Sequence, residues 1–425
     1  MVSLFLPQCT RRLTFVAFEG ERLIVTFRRF MPLLAGALIC VVAGEGKAQT
    51  ASTLVSSVPF ASEVSNGASH SFLLAQTLTD QQQEALDELL RDGQDKVDAG
   101  DYSGAIALYQ EATRIDPRNA RLYSGIGYLY VQQEQYEDAI TPYQRAISLD
   151  PDNLPFRYGL AFAYVQLEDY DNAIATYEAI TELSPAAADA YLGLGNIYIL
   201  QDDYEAALET YEMLTFSSPG NSQAYEALGT LYLIQEEYEA ARSAFQRAVA
   251  IDTSRSESYI GLAETQLALG ETDAAFRNLQ AAVELDRNAA EAQFLLGEIS
   301  MERGDEEAAY GYYRRAVDAD PDLIPAQAAV GAMHLENGVY LQAIIAYRKV
   351  ISAFPNNPGA HYNLALALWA EGLKPQATRS INRARNLYLQ EEDMSSVDRV
   401  DALMEFWGIG SGVQSTTSDT DLTPE

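Results

Sequence analysis

The segment "GDYSGAIALYQEATRIDP", Gly100 to Pro117, returns 34 residues later as "EQYEDAITPYQRAISLDP", Glu134 to Pro151. The spacing then holds without insertion. Prolines fall at 117, 151, 185, 219, 321 and 355, with Thr253 and Arg287 in the intermediate slots. Alanines keep step at 105, 139, 173, 207, 241, 275, 309, 343 and 377. Four places after each alanine stands Tyr109, Tyr143, Tyr177, Tyr211, Phe245, Leu279, Tyr313, Tyr347 or Ile381. Nine units result: 86–119, 120–153, 154–187, 188–221, 222–255, 256–289, 290–323, 324–357 and 358–391. A chain built this way buries its apolar surface by stacking like units, because one short unit cannot cover its own apolar stripe.

Within a unit the apolar residues recur at helical spacing in two runs separated by a turn. The first run carries a small pair such as Leu194 and Gly195 with Tyr198 three places on; the second reads "YEAALETYEML". Small alanines mark the close approach of two helix backbones, and the bulky residue four places later fills the space between successive hairpins. The prolines are expected in the first turn of the following helix, where a missing donor costs nothing. "VDRVDALMEFW", Val397 to Trp407, reads as a cap helix over 394–407 that covers the last unit and lays Trp407 against repeat nine.

On these residues the pattern resembles the tetratricopeptide repeat, and exported bacterial proteins built from it. The resemblance covers nine units in one register and implies an all-α solenoid, a right-handed superhelix of antiparallel helix pairs, over 79–407.

Around this body the sequence changes character. Arg28 and Arg29 precede fourteen mostly apolar residues, Met31–Gly44, and then small residues at Gly46, Ala48 and Ala51. That order reads as a secretory signal inside a leader spanning 1–48, with Met31 as the start. The run is shorter than the ~20 residues a spanning helix needs, so a membrane tether through an uncleaved leader is the alternative reading. Residues 49–78 read as a flexible linker, and "TDQQ" from Thr79 as a capping box that begins the helical body. Gly408 to Glu425, with three acids and no base, reads as a disordered tail.

Charge limits the partners. The 425 residues carry 28 Lys and Arg against 61 Asp and Glu, a formal net charge of −33. No basic patch stands out in the body, so nucleic acid is not expected as a partner, and contact with a membrane is expected only indirectly. Both cysteines, Cys9 and Cys40, lie in the leader. The body therefore has no disulfide, thiolate zinc site or cysteine nucleophile.

Nor does the body carry a recognisable catalytic constellation. His334 and His361 occupy slots held by tyrosines in other repeats, and read as packed residues; His70 falls in the linker. "GLGNIY", Gly193 to Tyr198, lies within a helical run and lacks the third glycine of a dinucleotide loop. "MERGDEE", Met301 to Glu307, lacks the alternation of a calcium loop. No catalytic, cofactor-binding or metal-binding residue is assigned; the expectation is a protein that is not an enzyme.

In repeats of the family it resembles, inward positions of each first helix line a partner-binding groove. Carried onto this chain, they are Tyr128, Tyr158, Phe162 and Asn196 in repeats two to four, and Glu226, Glu264, Phe294, Glu298 and Glu302 in repeats five to seven. Tyr362 and Trp369 follow in repeat nine. The groove would thus be aromatic at both ends and acidic between them. Gly125, Gly159, Gly193 and Gly261 share one further inward position, where either a ligand or a neighbouring helix comes close. The cationic and asparagine arrays used by chaperone-tail-binding and sugar-transferase relatives are absent, so neither activity carries over.

The resulting expectation is a non-enzymatic protein-interaction scaffold that takes a basic or apolar peptide or helical segment in its groove. The alternatives are an assembly or secretion factor for a membrane-associated pilus, polysaccharide-export or photosynthetic complex, and the accessory arm of a separate enzyme. The oligomeric state stays open at this level.

Overall fold

A computed structural model describes residues 78–409 of the chain. The leader, all but the last residue of the linker, and the tail beyond Ile409 lie outside the described residues. The described chain is all-helical and divides into two compact units at Asp252 and Thr253.

The first unit holds α1 (Asp80–Asp98), α2 (Tyr102–Ile115), α3 (Ala120–Gln132), α4 (Tyr136–Leu149) and α5 (Leu154–Gln166). It continues with α6 (Tyr170–Leu183), α7 (Ala188–Leu200), α8 (Tyr204–Ser217), α9 (Ser222–Ile234) and α10 (Tyr238–Ile251). The second holds α11 (Ser256–Ala268), α12 (Thr272–Leu285), α13 (Ala290–Glu302), α14 (Glu306–Ala319) and α15 (Ile324–Glu336). After these come α16 (Tyr340–Ala353), α17 (Pro358–Ala370), α18 (Lys374–Gln390) and α19 (Met394–Phe406).

Each helix starts and stops for a local reason. Thr79 caps α1 as a capping box: its Oγ1 accepts from the Gln82 N–H at 3.2 Å, and Gln82 Oε1 accepts from the Thr79 N–H at 3.0 Å. Carboxylates of Asp101, Asp169, Asp203 and Asp305 cap α2, α6, α8 and α14 in the same sense.

Inside the hairpins the chain reverses through one left-handed residue. Glu134, Glu168, Asp202 and Glu236 take this role in the first unit, with φ between 57° and 61°. Gly270, Gly304, Gly338 and Gly372 take it in the second, with φ between 72° and 85°. The Gln135 N–H then reaches back to the Tyr130 carbonyl at 2.9 Å, and the Glu134 N–H to that of Val131 at 2.9 Å, closing the last turn of α3.

The prolines work differently from the sequence expectation. Pro117 and its equivalents sit in the turn between hairpins, three residues before the next helix begins, and so end the second helices instead of starting the first ones. The residue before each is pushed to extended backbone, as at Asp116 (φ −123°) and Asp150 (φ −138°), which stops the helix there. Pro155, Pro325, Pro358 and Pro375 are the prolines that occupy a first helical turn among the described residues.

Packing follows the 34-residue period. All nine ladder alanines, from Ala105 to Ala377, are 0% exposed, and the bulky residue four places after each is buried. In most repeats it is an aromatic ring that fits against a glycine of the paired first helix, whereas Leu279 and Ile381 cluster with Ala263 and Ala365. A Cβ added at Gly195 would stand 2.3 Å from the Tyr211 ring, and one at Gly127 2.9 Å from Tyr143. Gly93 meets Tyr109, Gly229 meets Phe245, and Gly297 meets Tyr313 in the same way. The inward glycines find their explanation here too. Gly159 lies under Tyr143 of the preceding hairpin, at 2.4 Å from a built Cβ, and Gly193 under Tyr177, at 2.6 Å. A neighbouring helix's tyrosine, not a ligand, makes the close approach at these two positions.

Cap helix α19 buries Val397, Val400 and Met404 against Ile381, Ala384 and Tyr388 of α18. Its Asp401 receives a bidentate pair of hydrogen bonds from Arg385, at 2.5 and 2.8 Å.

Two substitutions separate these effects in thermal denaturation. Gly195→Ala drives a methyl into the Tyr211 ring and is expected to cost about 2 kcal/mol. Glu236→Gly relieves a left-handed L-residue and is expected to add about 1 kcal/mol.

Candidate functional site

First helices present their inward positions in a fixed register, so the candidate residues are placed by the same repeat that builds the core. In the first unit Tyr128 on α3, and Tyr158 and Phe162 on α5, are half-buried. Each is braced by a second aromatic: Tyr158 meets Tyr177 edge-on at 6.4 Å between centroids, and Phe162 meets Tyr136 edge-on at 6.2 Å. Tyr128 packs against the cluster of Ala105, Tyr109 and Leu129. These rings are held by packing while keeping part of their surface open to solvent.

Asn196 on α7 departs from the expectation. It is 8% exposed, and its Oδ1 accepts from the buried Tyr211 hydroxyl at 2.6 Å. That bond spares the hydroxyl an unmet polar burial, so Asn196 serves the core and is not offered to a partner. Glu226 on α9 is half-buried, and Thr230 returns its hydroxyl to the Glu226 carbonyl at 3.0 Å.

In the second unit the inward acids are tied to neighbours. Tyr313 donates to Glu298 Oε1 at 2.5 Å, and Phe294 lies 5.9 Å from the Tyr313 ring. Burial pushes the Glu298 carboxyl up, the Tyr313 bond opposes this, and nearby Glu302, itself exposed, adds to the rise.

Glu264 on α11 meets Glu291, in the first turn of α13, carboxyl to carboxyl. Burial, reinforced by the Glu291 charge and by donation to it, holds the Glu264 carboxyl well above the usual carboxylate range. Burial also raises Glu291, but donation from Glu264 opposes it, and Glu291 keeps contact with water at the helix start. Both carboxyls are therefore held above the ordinary range, Glu264 the more strongly, and the pair takes up a proton more readily than surface carboxylates do.

The last pair of candidates is also altered by the fold. Tyr362 is 8% exposed and belongs to the cluster that seats the cap, with Tyr388, Val397 and Met404. Trp369 is half-buried and stacked on Trp407, with ring centroids 4.3 Å apart and planes at 3°, and Lys374 lies 5.0 Å from its centroid. Trp407, the residue after α19, thus occupies the ring face that Trp369 would otherwise offer. The sequence signal for this pairing was present, since these are the chain's two tryptophans and one of them ends the cap.

His334 and His361 both have partners within the fold. His334 lies edge-on to Tyr310 at 5.7 Å, and burial together with the Arg314 charge pushes its pKa down. His361 sits 3.0 Å from the Pro355 carbonyl through Nε2. No group of three or more His, Cys, Asp or Glu among the described residues is arranged to hold a metal ion.

Paired helices in one register, with inward positions of each first helix partly open, define a helical-repeat scaffold. Tetratricopeptide repeat models match residues 93–134, 127–168, 158–222, 201–256, 260–324 and 334–388, and the chain belongs to the tetratricopeptide repeat family. It is a protein-interaction scaffold, and folds of this kind are typically non-catalytic. No match was found among curated proteins.

Solved structures resemble parts of it. A tetratricopeptide repeat protein from Parabacteroides merdae is 19% identical over 59% of this chain and 99% of its own, with a TM-score of 0.46. MamA, residues 41 to the end, from Desulfovibrio magneticus is 22% identical over 40% of this chain and 96% of its own, with a TM-score of 0.35. YrrB, described as having an unusual peptide-binding site, is 25% identical over 44% of this chain and 96% of its own, with a TM-score of 0.34.

The Glu264 and Glu291 pair makes stability depend on pH. The folded carboxyl holds its proton more tightly than the unfolded one. Its stabilisation is complete below the ordinary carboxylate range and is lost as pH rises through the raised folded value. Glu264→Gln keeps a donor to Glu291 without the titration. It is expected to raise stability at pH 8 by about 1 kcal/mol and to leave it nearly unchanged at pH 4, measured by thermal unfolding at both values.

Proposed function

We propose that the inward faces of the first helices bind an extended or helical segment of another protein, with Tyr128, Tyr158 and Phe162 as the principal anchors. The observation that carries this reading is their state in the first unit: rings fixed by aromatic neighbours yet partly open at inward positions of successive first helices. Rigid aromatics of this kind supply contact area at little entropic cost. They suit an apolar side chain of the incoming segment.

The inward acids of the second unit suit Lys or Arg. A cation placed beside Glu264 and Glu291 would draw the proton off Glu264, so binding there would release a proton and strengthen as pH rises. Tyr362, Asn196 and the stacked face of Trp369 are left out of the binding surface, since each already has a partner within the fold. The export reading of the leader, from Arg28 and Arg29 through the apolar run to Ala51, joins this proposal, and N-terminal sequencing of the mature protein tests it.

A displayed library of random peptides selected on the full chain tests the groove. Enriched peptides are expected to carry aromatic or aliphatic residues. Their affinity should fall about 10-fold, roughly 1.4 kcal/mol, with Tyr128→Ala or Phe162→Ala, and should not change with Phe216→Ala, which lies on an outward face. Equal affinity for all three variants would overturn the assignment.

A further inference from the structure

Outward faces of the second helices repeat in register just as the inward faces of the first ones do, and along this chain their charge changes sign. Residues 158–241 hold fifteen acids and no Lys or Arg, whereas residues 323–390 hold six Lys and Arg against two acids. The structure collects these differences on equivalent surfaces, which corrects the expectation that the body has no basic patch.

In the first unit, α6 exposes Glu178 and Glu182, and α8 exposes Glu205, Glu209 and Glu212 in line with Phe216. Phe216 is 90% exposed, and Met213 beside it is 56% exposed. Four repeats on, positions 205, 209 and 212 become Leu341, Ile345 and Arg348 on α16. Leu341 and Ile345 are 58% and 60% exposed. Arg379 and Arg383 on α18, both exposed, extend this face on one side; α14, on the other, is mixed, with exposed Glu306, Glu307 and Asp318 beside Arg314 and Arg315. Arg348 and Arg383 hold neutral amide oxygens, of Gln376 at 3.1 Å and Asn356 at 2.7 Å, so both keep their charge uncompensated by these bonds.

Two faces of one sequence therefore match as the halves of an interface do. Each has an apolar centre, aromatic on one and aliphatic on the other, beside charges of opposite sign. We propose that the basic face of α16 and α18 receives the acidic face of α6 and α8 of a second copy of this chain, giving heterologous, head-to-tail self-association. The partner is a second copy because this chain itself supplies the complementary surface, built at the same repeat positions. A net charge of −33 opposes chance association of two copies, so contact depends on the one face where the sign is reversed.

Mixing experiments distinguish this arrangement, since salt weakens the general repulsion and the local attraction together. Arg348→Glu with Arg383→Glu disables the basic face; Met213→Asp with Phe216→Asp disables the acidic one by charging its apolar centre, so the two disabled faces are both negative and repel each other. In sedimentation velocity at about 100 mM salt, where charges are screened beyond about 10 Å, the wild-type chain is expected to associate with rising concentration. Each double variant alone should stay monomeric to at least about tenfold higher concentration. An equimolar mixture of the two variants retains one intact pair of faces, and should form a 1:1 complex that grows no further. Helical circular dichroism verifies folding, and Ile345→Asp, at a solvent-facing site, provides a second basic-face variant with the same expected loss.

A wild-type chain that stays monomeric would overturn the proposal. So would double variants that associate as it does, or a mixture that forms no complex. Binding of the monomeric chain to vesicles of anionic lipid, lost with Arg348→Glu and Arg383→Glu, would reassign the basic face to a membrane surface and likewise overturn it.

Discussion

The seat of one aromatic ring on one glycine governs this structure. Tyr211 on Gly195, Tyr143 on Gly127 and Tyr313 on Gly297 fix how closely the two helices of a hairpin approach. The ring then reaches the next hairpin, as Tyr143 reaches Gly159 and Tyr177 reaches Gly193. A single side chain thereby joins intra-hairpin and inter-hairpin packing. Repeats without the ring build the same place from alanine and an aliphatic residue, Ala263 with Leu279 and Ala365 with Ile381, and stability remains a sum of neighbour terms.

Function occupies what this contact leaves over. The ring that anchors the core also recruits inward residues to satisfy its hydroxyl, as Asn196 does for Tyr211 and Glu298 for Tyr313. Such residues appear exposed in a repeat alignment but are drawn inward in space. Where the inward neighbour is apolar, as at Tyr128 and Phe162, the ring has no such claim on it, and that surface stays partly open. The divide between core and groove is thus set by polar satisfaction as much as by position in the repeat.

Charge adds a second level of organisation. The inward acids of the second unit meet one another at Glu264 and Glu291, and lean on Tyr313 at Glu298, so burial raises their affinity for protons and ties the frame to pH. The outward faces pass from acidic on α6 and α8 to basic and aliphatic on α16 and α18. This second feature does not disturb the frame, because solvent-facing positions on the second helices carry little of the packing. They are free to differ from repeat to repeat.

The sequence by itself determined the frame. A period of 34 residues, with alanine and a bulky residue four apart, admits little but stacked helical hairpins, and the capping box at Thr79 and the cap helix ending at Trp407 were legible from local pattern. Reading inward positions from the repeat also picked out Tyr128, Tyr158 and Phe162, whose rings the fold leaves half-buried. The tertiary structure alone decided which residues find partners across helices. Asn196 is claimed by Tyr211, Tyr362 by the cap, and the face of Trp369 by Trp407, while the prolines end helices that they were expected to start. Periodicity reports on the face of a helix, since geometry within one element is local. Burial, shared protons and ring stacking depend on side chains that meet only after the helices pack.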